Sequence, residues 1–99
     1  MCCRLQELEI TFCENMTDRG LLQGIGSLQE LKSLRLAWGC LLSPEALSTF
    51  LHGTSMTSIV LLKLSFFSNL DDEGLQGIAE RCNKLTYLNV QMLWFVLYM

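Results

Sequence analysis

Four times along the chain apolar residues recur in the pattern L-x-x-L-x-L: Leu5, Leu8 and Ile10; Leu31, Leu34 and Leu36; Ile59, Leu62 and Leu64; Leu85, Leu88 and Val90. In each set the last two members alternate with polar residues, as a half-buried strand requires. Leu5, Leu31, Ile59 and Leu85 open the sets, so the steps are 26, 28 and 26 residues. Between the strands the apolar spacing changes to three and four: Leu21, Leu22, Ile25 and Leu28, then Leu47, Phe50 and Leu51, then Leu75, Ile78, Ala79 and Cys82. Each group marks one face of a short helix. A helix and a strand within about two dozen residues cannot bury their own apolar faces. Stacked copies can, so the pattern predicts a tandem repeat of helix and parallel strand.

The helix starts repeat too. Thr17, Ser43 and Asp71 are candidate N-caps, and each is followed by an acidic residue in the first turn: Asp18, Glu45, and Asp72 with Glu73. There the exposed N–H groups and the helix dipole favour negative charge. Pro44 fits the first turn, where its missing N–H has no partner in any case. The spacing predicts helices over 16–27, 44–52 and 72–82, the first shortened or partly 3₁₀ because Gly24 and Gly26 each cost about 1 kcal/mol relative to alanine. The two extra residues of the 28-residue step belong in the loop Gly53-Thr54-Ser55. Residues 1–13 begin directly in a strand half, which reads as a start inside a longer array. The repeat pattern covers residues 1–90. Residues 91–99, beginning Gln91-Met92-Leu93-Trp94 and carrying no turn residue and no charge, depart from it. That tail reads either as a makeshift cap over the core or as a sequence never selected to follow the array. Three and a half uncapped repeats imply marginal stability and association through the open ends.

Composition narrows the function. Of the residues, 51% are apolar and only 17% charged, which excludes disorder, and a net charge of -3 leaves no basic stripe for nucleic acid. Five cysteines, Cys2, Cys3, Cys13, Cys40 and Cys82, have no C-x-x-C spacing and only His52 beside them, so no metal site is expected. They read as buried thiols, which point to a reducing compartment, cytoplasmic or nuclear. The longest apolar run, Met92 to Met99, is too short to span a bilayer, so no membrane span is expected. His52 falls near a helix C-terminus as a structural residue. With one histidine, hydroxyls in capping or strand positions, and Gly20, Gly24 and Gly26 lacking the lysine of a phosphate loop, neither an enzyme nor a cofactor is expected.

The L-x-x-L-x-L strands, the strand-ending Cys13, the Thr-Asp-x-Gly-Leu start at Thr17 to Leu21, and the run Gly74-Leu75-x-x-Ile78-Ala79-x-x-Cys82-x-x-Leu85 together resemble the cysteine-containing leucine-rich repeats of F-box and leucine-rich-repeat proteins. The resemblance spans residues 3–90. It implies an α/β leucine-rich-repeat solenoid of about 3.5 repeats, with parallel strands on the concave face and short helices on the convex face. In that family such repeats recognise protein substrates for a Skp1-cullin ubiquitin ligase. Contact with Skp1 needs an F-box, which these residues do not contain. The alternatives are a leucine-rich-repeat scaffold unrelated to ubiquitin and a truncated fragment without function. Gly39, Phe67 and Leu93 stand where the family usually has cysteine or asparagine, which unsettles the loop hydrogen bonding there.

A protein partner would meet two columns of residues. Between the last two core positions of each strand the column reads Glu9, Arg35, Lys63, Asn89. Neighbouring strands are about 4.8 Å apart, so Glu9 is placed to pair with Arg35, leaving Lys63 for an acidic group of the partner. The other reading is a solvated charged face. Two residues past the last core position the second column reads Phe12, Trp38, Phe66, Met92. Large apolar groups on the rim of a polar face suit a binding hot spot, or they fold over the strand ends to cover the core. Tyr87, two residues before Asn89, is counted with the site.

Overall fold

The computed structural model describes residues 4–13, 15–39, 41–67 and 69–91. Four strands, β1 (Glu7–Ile10), β2 (Ser33–Ala37), β3 (Leu61–Ser65) and β4 (Tyr87–Gln91), form one parallel sheet in sequence order. Leu8 sits beside Leu34, Leu34 beside Leu62, and Leu62 beside Leu88. Each residue therefore lies next to its counterpart one sequence step later, and the 26, 28 and 26 spacing is the strand register itself. A slip of one residue would turn every leucine to the opposite face.

Two α-helices connect the later strands: α1 (Pro44–Leu51) and α2 (Asp72–Arg81). All three expected caps form. Gly20 N–H donates to Thr17 Oγ1 at 3.2 Å, Ala46 N–H to Ser43 Oγ at 3.1 Å, and Gly74 N–H to Asp71 Oδ1 at 3.0 Å. Where Gly24 and Gly26 interrupt the first helical segment, a π-helical turn (Gly20–Gly24) runs into a 3₁₀ turn (Ile25–Ser27). The two extra residues of the longer step lie in a further 3₁₀ turn, Thr54–Ser58.

The strand leucines and the helices close on one core. Leu34, Leu36, Leu62 and Leu64 of the sheet are buried together with Leu47, Phe50 and Leu51 of α1 and Ile78 of α2. Full burial of such a side chain is worth about 1.5–3 kcal/mol relative to exposure. Hydrogen bonds also tie one step to the next. Asp18 Oδ1 accepts from Ser43 N–H at 2.9 Å, and Asn69 Nδ2 donates to the Leu42 carbonyl at 2.8 Å. Asp18 therefore does more than favour its own helix start: it holds the N-cap residue of the next one.

Three expected core positions are corrected. Leu75 and Ala79 are exposed, because α2 turns Gly74, Gly77 and Ile78 inward instead. A Cβ on Gly77 would come within 2.8 Å of His52 Nδ1 and 3.0 Å of the Leu51 carbonyl oxygen, so close approach to the end of α1 sets the rotation of α2. Leu88 is 48% exposed, because β4 is an edge strand and its core side is only partly covered by the described residues. His52 caps the end of α1, with its Nδ1 2.7 Å from the Ser48 carbonyl oxygen. Cys13 and Cys82 are buried as expected, while Cys2, Cys3 and Cys40 lie outside the described residues. The 91–99 tail, beyond Gln91 at the end of β4, also lies outside them.

Candidate functional site on the helix-free face of the sheet

Strand alternation sends Glu9, Arg35 and Lys63 to the face opposite the core leucines. They are side by side in register, Glu9 next to Arg35 and Arg35 next to Lys63. The expected Glu9–Arg35 ion pair does not form. Among the described residues the one contact within 4.0 Å between a basic side chain and a carboxylate joins His52 Nε2, at the end of α1, to Glu80 Oε1 of α2. An exposed pair on long, well-hydrated side chains gains little from closing. Arg35 and Lys63 are thus neighbouring like charges, with neither an ion pair nor a side-chain hydrogen bond among the described residues.

Past the strand ends the aromatic column takes an unusual backbone. Trp38 has φ 64° and Phe66 φ 63°, the left-handed region, where a side chain other than glycine costs about 1–3 kcal/mol. The surroundings hold both residues there. Trp38 N–H donates to the Ser65 carbonyl at 2.9 Å and Phe66 N–H to the Gln91 carbonyl at 2.6 Å, continuing the ladder one position beyond the strands. The two rings stack, with centroids 4.4 Å apart and planes inclined by 26°. Trp38 keeps 37% of its surface exposed.

Between the basic pair and the aromatic pair lies a lane that sequence reasoning missed. Ala37, Ser65 and Gln91 are adjacent in register, with Thr11 at its other end. Ala37 and Ser65 are small, and the space they leave between long basic chains and large rings is a groove of about 250 Å³. Ser65 is only 4% exposed, and its Oγ has no hydrogen-bond partner among the described residues. Leaving a buried hydroxyl unpaired costs about 1–3 kcal/mol. A small residue immediately before each of the two aromatics was the available signal.

No protein-family model, curated protein or solved structure matches this chain. The groove brings together five of the eight candidate residues: Glu9, Arg35, Lys63, Trp38 and Phe66. The other three stand apart. Phe12 is 64% exposed and lies outside the groove lining. Asn89 Nδ2 donates to the Tyr87 hydroxyl at 3.4 Å, so those two form their own polar contact on β4. Met92, the last of the aromatic column, lies outside the described residues.

The neighbouring position is also informative. Phe67 is 1% exposed, and its ring occupies the space where a Cβ on Gly39 would stand. Gly39 and Phe67 therefore compensate each other: a missing side chain past one strand end admits a large one from the next. This packing anchors the loops that carry Trp38 and Phe66. Burial pushes the Cys82 thiol above its ordinary pKa of 9.0, which disfavours the reactive thiolate at neutral pH. Among the described residues no group of His, Cys, Asp and Glu could hold a metal ion, and no helix is long and apolar enough to cross a membrane.

Proposed function

We propose that this chain is a protein-binding module, a leucine-rich-repeat solenoid whose helix-free sheet face takes a segment of a partner protein. The observation that carries the reading is the groove: a basic couple and a buried hydroxyl that have no partner among the described residues, and a stacked aromatic pair, all on one face. Aromatic residues and arginine are the commonest anchors of protein interfaces, and strained backbone concentrates where ligands are clamped. The solenoid reading is supported by the parallel register that matches the sequence step. The resemblance to the repeats of F-box proteins extends the proposal to substrate recognition for a Skp1-cullin ubiquitin ligase, and that extension rests on the resemblance alone.

The test pairs two surface variants. Trp38→Ala with Lys63→Glu alters the groove, and Glu73→Lys with Gln76→Ala alters exposed positions of α2. With both shown to be folded by circular dichroism, a partner captured from lysate by wild type and by the α2 variant, but not by the groove variant, supports the proposal. Equal capture by all three overturns it.

A further inference from the structure

Resting on that reading, we propose that the groove is selective for an extended peptide carrying a single carboxylate side chain next to a flat apolar side chain. The anion sits between Arg35 and Lys63, and the apolar neighbour lies against the exposed part of Trp38.

Three observations converge on this occupant. Arg35 and Lys63 are adjacent on β2 and β3 and lack any ion partner among the described residues, so a bound anion removes a like-charge repulsion as well as adding two charge-assisted hydrogen bonds. Ser65, two residues beyond Lys63 on the same face of β3, is buried, and its hydroxyl has no hydrogen-bond partner among the described residues. Ser65 lines the groove, and in the proposed complex a change of its χ1 rotamer makes that hydroxyl a donor to the anion, as a buried polar group requires. The stacked rings of Trp38 and Phe66 both line the groove, so a planar or ring-containing side chain finds an offset-stacking surface. Glu9, at the other end of the basic couple, repels a second acidic residue and thereby sets the peptide's charge pattern: one anion, not an acidic run.

A random peptide library selected against the purified full chain tests this. One arm has unmodified residues, and the other has phosphoserine at a fixed position. The expected result is enrichment of a single Asp or Glu beside Trp, Tyr, Phe or Pro in the unmodified arm. Enrichment of phosphoserine without such an acidic residue would overturn the carboxylate occupant in favour of a phosphate. Binding of a selected peptide should weaken with rising salt. It should fall by about tenfold in Lys63→Gln, the loss of one charge-assisted hydrogen bond. Ser65→Ala should weaken the anionic peptide while leaving a neutral analogue unchanged, a difference that a purely structural role for Ser65 would not produce. Selected peptides without an acidic group, or with binding indifferent to salt and to Lys63→Gln, would overturn the anion site while leaving the protein-binding reading intact. A folded protein that selects no peptide from either arm would overturn both.

Discussion

The Trp38 and Phe66 rings stack 4.4 Å apart while both residues hold a left-handed backbone, at φ 64° and 63°. Two residues that each bear conformational cost have been placed side by side, in the same position of successive sequence steps. Their stacking and the ladder hydrogen bonds from their N–H groups offset that cost.

This arrangement inverts an ordinary rule. In most backbone settings glycine is less favourable than alanine, but at φ 64° the order reverses. Trp38→Gly should therefore be more stable than Trp38→Ala by about 1 kcal/mol, with both less stable than wild type through loss of the stack. Urea denaturation of the three proteins measures the order, and a Trp38→Ala protein more stable than Trp38→Gly would refute the backbone assignment.

Gly39 and Phe67 make a second coupled pair. A Cβ at position 39 would stand inside the Phe67 ring, so Gly39→Ala should destabilise by about 1–3 kcal/mol, the usual cost of overpacking. Phe67→Leu should relieve part of that penalty, giving a non-additive double-mutant cycle in denaturant. Additive effects would mean that the two positions do not share the space.

Two other glycines should respond in opposite directions. Gly24 has open space around its Cβ position, so Gly24→Ala should stabilise by about 0.4–1 kcal/mol through the unfolded chain. Gly77→Ala meets His52 and the Leu51 carbonyl, and should lower the melting temperature although alanine is the better helix former. Thermal melts of both variants against wild type check the sign of each.

The Cys82 thiol, held above its ordinary pKa of 9.0 by burial, links stability to alkaline pH. The folded state retains its proton longer than the unfolded state, so its contribution is complete below about pH 9 and is lost as pH rises toward the folded pKa. Stability measured from pH 7 to pH 10.5 should fall less steeply in Cys82→Ala than in wild type. Parallel profiles would place Cys82 in contact with solvent.

Much of this was legible in the sequence because strand and helix periods repeat at a fixed step. Leu8, Leu34, Leu62 and Leu88 could be aligned before any coordinates, and the caps at Thr17, Ser43 and Asp71 follow from side-chain chemistry alone. The columns Glu9, Arg35, Lys63 and Trp38, Phe66 were readable for the same reason. What periodicity could not give was the third dimension. The rotation of α2 depends on glycine contacts with the end of α1, which hid the exposure of Leu75 and Ala79. The groove depends on Ala37 and Ser65 being small, and small residues carry no hydrophobic signal. The left-handed backbone at Trp38 and Phe66 was equally hidden, since aromatic residues rarely adopt it.

Site-specific photo-crosslinking decides whether a partner protein lies on the proposed sheet face. A crosslinking amino acid replaces Thr11, exposed at one end of the groove, or Glu45, exposed on α1. The expected outcome is a covalent adduct with the partner from position 11 and none from position 45. Adducts of the same protein from both positions, or from position 45 alone, would contradict it.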